Sequence, residues 1–168
     1  ALDMREAVMS ARQAAAAVNA TEYGRPEDLE IIGDILYVAI TSEYRVLSIT
    51  LSGAPVVREF VKAGVNVPKE TLMRSGFEHP DNLANDAEGN LWIIEDNKPS
   101  DVWVAKSDSN DDGYADSVDR FASLSAKGAE ATGLYFPKHK RQFYINVQHT
   151  DSANDKTIAI SQTAAVKP

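Results

Sequence analysis

Pro26-Glu27-Asp28-Leu29 returns 54 residues on as Pro80-Asp81-Asn82-Leu83, and Leu36-Tyr37-Val38-Ala39 returns 55 residues on as Leu91-Trp92-Ile93-Ile94. A third copy keeps the step. Phe143-Tyr144-Ile145-Asn146 lies 52 residues after Leu91, and Glu130-Ala131-Thr132-Gly133-Leu134 takes the place of the Pro-Glu-Asp-Leu element. Closing apolar segments recur as Val46–Ile49, Val102–Ala105 and Thr157–Ile160. A period near 54, made of an acidic turn, an apolar strand, a polar turn and another strand, is the signature of a β-propeller blade. The expected fold is therefore all-β, a β-propeller portion of about three blades with an N-terminal α-helix.

Outward from the repeats, the apolar runs after Gly24 are short, rich in Val, Ile, Tyr and Trp, and separated by Gly, Asp, Asn and Pro, which is strand-and-turn punctuation. Before Gly24 the chain is Ala-rich from Ala1 to Asn19, without Gly or Pro, and reads as one helix that has little to bury. The domain division is then residues 1–20 as a helical insertion or lid and residues 21–168 as the propeller portion. Propellers close with four to eight blades, so three leave two open flanks for the remaining blades or for a second copy of the chain.

Composition excludes several classes of function. The 168 residues carry a net charge of −8, which argues against nucleic acid, since phosphate neutralisation needs a basic face. No window approaches the roughly 18 continuous apolar residues of a membrane span, because Gly33-Asp34 splits the longest run. The absence of cysteine removes disulfides, thiolate metal sites and thiol nucleophiles together. No basic segment followed by an apolar run and a cleavage site opens the chain, so a secretion signal is not expected within it. There is no G-x-S-x-G, P-loop or G-x-G-x-x-G.

Asp108-Ser109-Asn110-Asp111-Asp112-Gly113-Tyr114-Ala115-Asp116-Ser117-Val118-Asp119 reads as a Ca2+ loop. Asp108, Asn110 and Asp112 stand at positions 1, 3 and 5, Gly113 at the turn position, the Tyr114 carbonyl at 7, Asp116 at 9 and Asp119 at 12. A hard cation wants such an oxygen cage. Asp at the last position departs from the bidentate Glu of the pattern, and an Asx-rich surface turn without metal is the other reading. No long helices flank the loop, so the expected role is a structural ion between blades.

The acidic residues opening each repeat are the second constellation: Glu27 with Asp28, Asp81 with Asn82, and Glu130. Equivalent positions of successive blades surround one axis, so these carboxylates converge on a funnel and repel one another unless a cation sits among them. Arg25, just before them, can present a planar donor fork to phosphate or brace a blade turn by pairing with a carboxylate. His79, His139 and His149 lack the spacing of a metal-ligand pair; His149 ends a strand and either faces the funnel or is a satisfied turn residue. Trp92 and Trp103 lie in apolar runs and read as core.

These residues resemble the PhoX family of secreted bacterial alkaline phosphatases. The resemblance is carried by Gly24-Arg25-Pro26-Glu27-Asp28-Leu29-Glu30, Pro80-Asp81-Asn82-Leu83-Ala84, Gly89-Asn90-Leu91-Trp92-Ile93, Ala129-Glu130-Ala131-Thr132-Gly133 and Asn146-Val147-Gln148-His149. Leu2-Asp3-Met4-Arg5-Glu6-Ala7 resembles a segment preceding the Arg-Pro-Glu-Asp element in those proteins, so the match is to the later part of a longer chain. The resemblance implies a six-bladed propeller with a funnel that binds a phosphate monoester beside Ca2+, with Fe3+ as a further candidate ion, in the periplasm or outside the cell. It assigns Arg25 to the phosphate oxygens, Glu27 to the metal cluster and Glu130 to the funnel as an acidic ligand, with Asp81 and Asn82 as weaker carry-overs. The family's cluster also draws a cysteine and carboxylates from the earlier half, so the cluster is incomplete here and the isolated segment is expected to be inactive. The rival reading is a non-catalytic calcium-binding propeller module that closes its ring by dimerisation or partner binding.

Overall fold

The structure, a computed structural model, describes residues 10–69, 76–98, 100–138, 142–149 and 155–161. His139 and the stretch before Ser10 lie outside the described residues. Within them, eleven strands form three antiparallel sheets, each a simple meander. The first sheet is β1 (Pro26–Ile32), β2 (Ile35–Ile40), β3 (Arg45–Thr50) and β4 (Val57–Lys62). The second is β5 (Pro80–Asn85), β6 (Leu91–Glu95), β7 (Asp101–Ala105) and β8 (Val118–Ser123). The third is β9 (Glu130–Tyr135), β10 (Gln142–Gln148) and β11 (Lys156–Ser161). One short helix, α1 (Ala11–Ala17), precedes them and buries Ala14.

Each repeated apolar tetrapeptide is the second strand of its sheet, and each closing segment is the third. The Pro-Glu-Asp-Leu elements are first strands and not turns. The turns lie between strands. Ile32 pairs with Ile35 across Gly33-Asp34, a two-residue hairpin in which Gly33 takes a φ of 60° at no steric cost. The link between β5 and β6 is an Asx turn: Asp86 Oδ1 accepts the Asn90 N–H at 2.9 Å and its Oδ2 accepts the Trp92 indole N–H at 2.8 Å.

The sheets pack face to face in succession. Period-2 alternation sends Leu91 and Ile93 of β6 toward the first sheet, where they join Tyr37, Val46, Phe60 and Leu83. Trp92 and Ile94 point to the other side and join Ala131, Phe143 and Ile145 of the third sheet. All of β6 is buried for this reason. β1 contacts β5 and β5 contacts β9, so the first strands stand side by side. Asp28 Oδ2 accepts the Leu83 N–H at 2.8 Å, and Asn82 Oδ1 accepts the Gly133 N–H at 2.9 Å and the Thr132 hydroxyl at 2.8 Å. Like positions in successive sheets thus tie each first strand to the next. Open sheets joined along their first strands fit a partial propeller.

Candidate functional site

One pole of the three first strands gathers the charged residues. The Arg25 carbonyl accepts the Thr41 N–H at 3.0 Å and the His79 carbonyl accepts the Asp96 N–H at 2.9 Å, while Glu130 pairs with Gln148. Arg25, His79 and Glu130 therefore occupy one register position at the head of their strands, and Glu27 and Asp81 follow inside bulges. A bulge turns a side chain out of the alternation, which is how strand ends beside functional sites re-aim their residues. Arg25 and His79 each precede a proline and sit at φ of 56° and 43°, a left-handed conformation costly for residues with a Cβ. The same strain at the same position in two sheets fixes the heads of β1 and β5.

Arg25 reaches across two sheets. Its Nε lies 2.9 Å from Glu27 Oε1 and its Nη2 lies 3.0 Å from Asp96 Oδ2, with about half of its side chain still open to solvent. Of the two roles the sequence leaves to Arg25, the bracing pair is present in this structure. Asp81 stands among the same groups. Its carboxyl is pushed up to about 6, first by burial, then by the charges of Glu27 and Asp96, with Arg25 opposing and Glu130 adding to the rise. The fields of the other two repeat-opening carboxylates, Glu27 and Glu130, thus meet at Asp81. Glu130 Oε1 accepts the Gln148 amide at 2.7 Å. Asn82, bonded to Thr132 and Gly133, braces the sheets and does not offer its oxygen to the funnel.

Asp96 is the residue that sequence reasoning missed. The signal was present: extending the match of Leu36–Ala39 with Leu91–Ile94 by two residues sets Asp96 opposite Thr41 at the hub end of the second strand. His79 packs edge-on against Tyr44 at 4.7 Å between ring centres, and its Nδ1 is buried without a hydrogen-bond partner among the described residues. His149 is exposed at the end of β10 at a φ of 57°, its N–H bonded to Asp155 Oδ1 at 3.2 Å, as in a turn.

The Asp108–Asp119 segment lies at the opposite pole, between β7 and β8. Asp108 accepts the N–H groups of Asp112 at 3.1 Å and Gly113 at 2.8 Å, Asn110 Oδ1 accepts Asp112 N–H at 3.1 Å, and Asp112 Oδ1 accepts Tyr114 N–H at 2.9 Å. Asp116 takes the Ser109 N–H and hydroxyl. These bonds wind the chain around the side-chain oxygens. Gly113 is required at its φ of 96°, and a Cβ there would also meet Arg58 Cδ at 3.1 Å. Asp119, the twelfth position, is already in β8 opposite Val104, where its Oδ2 accepts the Ser117 hydroxyl at 3.1 Å. Arg58 from β4 pairs with Asp111 and stands 3.8 Å from Asp108 Oδ2. Oxygen donors of Asp, Asn and carbonyl type match the chemistry of calcium. As the side chains stand, no group of three or more His, Asp or Glu among the described residues is arranged around a metal position, at this loop or at the hub.

A comparison with family models finds one described as Alkaline phosphatase PhoX, matched by residues 56–151. No curated protein matches the chain. The matched stretch runs from the segment before β4 to just past the end of β10, and so takes in Asp81, Asp96, the Asp108–Asp119 loop and Glu130, while Arg25 and Glu27 precede it. Covering more than half of the 168 residues, that match, together with three meandering sheets joined at a charged hub, shows that the chain belongs to the PhoX alkaline phosphatase family.

Proposed function

We propose that this chain supplies the Arg25 side of a funnel that hydrolyses phosphate monoesters in a calcium-dependent enzyme working in the periplasm or outside the cell. The observation that carries the reading is the convergence of Glu27, Asp96 and Glu130 on Asp81 in a PhoX-family chain, with Arg25 paired to Glu27 and Asp96. Four carboxylates against one Arg25 leave excess negative charge, which raises Asp81 and favours bound cations. Glu27 and Glu130 are the residues we assign to metal, Ca2+ with Fe3+ as a second candidate, and metal bound there supplies Lewis-acid charge to phosphoryl oxygens.

In the hydrolysis, a water oxygen bonds to phosphorus as the bond to the ester oxygen breaks, and the departing alcohol takes up the proton released by water. Arg25 exchanges its bond to Asp96 for a planar pair of N–H donors to the phosphate, keeping Glu27 as its anchor. We assign the Asp108–Asp119 loop to a structural Ca2+ remote from this chemistry, held by Asp108, Asn110, Asp112, Asp116 and the Tyr114 carbonyl, with Asp119 contributing only if β8 frays at its start. The funnel is completed by further propeller blades or a second copy of the chain, so the chain by itself is inactive on this reading.

The test is hydrolysis of p-nitrophenyl phosphate by the protein in which the funnel is complete. Arg25→Ala is expected to lower kcat/KM by about 100-fold or more, the scale of losing one charge-stabilising donor. Unchanged turnover in Arg25→Ala overturns the assignment of Arg25 to the phosphate, whereas no phosphate release by the complete protein in Ca2+ overturns the catalytic reading and leaves a calcium-binding propeller module.

A further inference from the structure

Arg25 keeps a left-handed φ of 56° ahead of a proline, a conformation that persists only where neighbouring groups over-determine it. Those groups come from the connection between β2 and β3. The Thr41 N–H donates to the Arg25 carbonyl and the Ser42 N–H to the Gly24 carbonyl, each at 3.0 Å, while Glu43 Oε1 accepts the Gly24 N–H at 2.6 Å. Glu43 is held in turn. Its Oε2 accepts from Arg45 Nη2, and Arg45 Nη1 donates to Glu59 Oε1 at 2.6 Å, with the guanidinium 5.7 Å from the centre of the Tyr23 ring. Of the three bonds this connection makes to the backbone of residues 24 and 25, two come from backbone and the Glu43 bond alone depends on a side chain. The next sheet repeats the device. Glu95 Oε1 accepts the Glu78 N–H at 2.8 Å, and Glu78 precedes His79, the other strained strand head, as Gly24 precedes Arg25.

We propose that Glu43 is the positioning residue of Arg25: its carboxylate, anchored by Arg45, holds the Gly24 amide and with it the strained backbone that aims the guanidinium at the hub. This rests on the assignment of Arg25 to the phosphate given above. Without the carboxylate, the strain lets Arg25 leave its left-handed conformation part of the time, and the fraction that stays is the fraction competent to bind substrate. Bound phosphate draws the rest back, so the loss falls on KM while kcat is kept.

The test uses p-nitrophenyl phosphate and the protein in which the funnel is complete. Glu43→Ala is expected to raise KM about tenfold at nearly constant kcat, the scale of losing one hydrogen bond to a charged group. Glu43→Asp, one methylene short, keeps the charge beside Arg45 but withdraws the oxygen from Gly24, and is expected to raise KM likewise. Glu43→Gln, whose amide oxygen still accepts the Gly24 N–H, is expected to recover most of the loss. In an Arg25→Ala background, Glu43→Ala is expected to add little, because the group it aims is gone. An unchanged KM in Glu43→Ala and Glu43→Asp, a fall in kcat at constant KM, or an equal loss with and without Arg25 overturns the positioning role and leaves the phosphate role of Arg25 standing. Unchanged turnover in Arg25→Ala alone overturns the phosphate role, and the positioning role falls with it.

Discussion

Glu95 ends β6 with its carboxyl fully enclosed. Its Oε1 accepts the Glu78 N–H and the Trp103 indole N–H, each at 2.8 Å, and its Oε2 has no partner among the described residues. Burial pushes the acid up to about 8; Asp101 adds to the rise, while the Glu78 N–H, the Trp103 indole and the Arg120 charge oppose it. The folded state therefore holds a proton that the unfolded chain, at the ordinary 4.5, has released. Its contribution to stability is fully present below pH 4.5 and is lost as pH rises through about 8. Glu95→Gln keeps the neutral form at every pH. Unfolding free energies of the wild type from urea denaturation are expected to fall between pH 6.5 and pH 9 by on the order of 2 kcal/mol, and those of Glu95→Gln to stay level. Equal losses in both proteins would show that another group titrates. Nothing in the run Leu91-Trp92-Ile93-Ile94-Glu95 marks this acid, because a carboxylate at a strand end ordinarily reaches water and only the second sheet's position between two others closes that route.

The strand β6 shows what the repeat made legible and what it could not. Its apolar run and its match to β2 and β10 were enough to place it as a second strand, because strand identity is written in local residue type and in spacing. The fourth strands β4 and β8 were not read, since Val57-Arg58-Glu59-Phe60 and Val118-Asp119-Arg120-Phe121 mix charge with apolar residues at the outer edge, where burial demands less. The hub was half legible: residue types marked Arg25, Glu27, Asp81 and Glu130, but the bulges that fix their register depend on pairing partners far along the chain. β6 faces two cores, so its two sides can be tested separately. Ile93→Ala opens a cavity against the first sheet and is expected to cost about 2–5 kcal/mol. Trp92→Ala removes the ring packed on Phe121, Phe136 and Phe143 and the indole bond to Asp86, with a loss of about 3–5 kcal/mol. Denaturant unfolding reads both values, and a loss below about 1 kcal/mol for either would mean that the corresponding pair of sheets is not packed as described.

For the molecule as a whole, the most informative pair is Leu29 and Leu83, the same position of the repeat in β1 and β5. Leu83 is 5% exposed because the first sheet covers it, whereas Leu29 is 60% exposed and its neighbour on that face, Ile31, is 54% exposed. One residue type at one register position differs only in whether a sheet stands before it. The side of the first sheet away from the second thus leaves apolar side chains uncovered, and we propose that in a ring it meets the preceding blade or a second copy of the chain. Covering two such side chains is worth roughly 1.5–3 kcal/mol each, enough to drive association when added to the rest of a sheet face. Size-exclusion chromatography with light scattering is expected to show the isolated chain above its 18.3 kDa monomer mass, and Leu29→Ser combined with Ile31→Ser to return it to the monomer. Both positions are exposed, so the double variant keeps its melting temperature if the face is an interface and nothing more. A wild-type chain that stays monomeric at high concentration would mean that this face is covered from within the chain, and the ring would then have to close elsewhere.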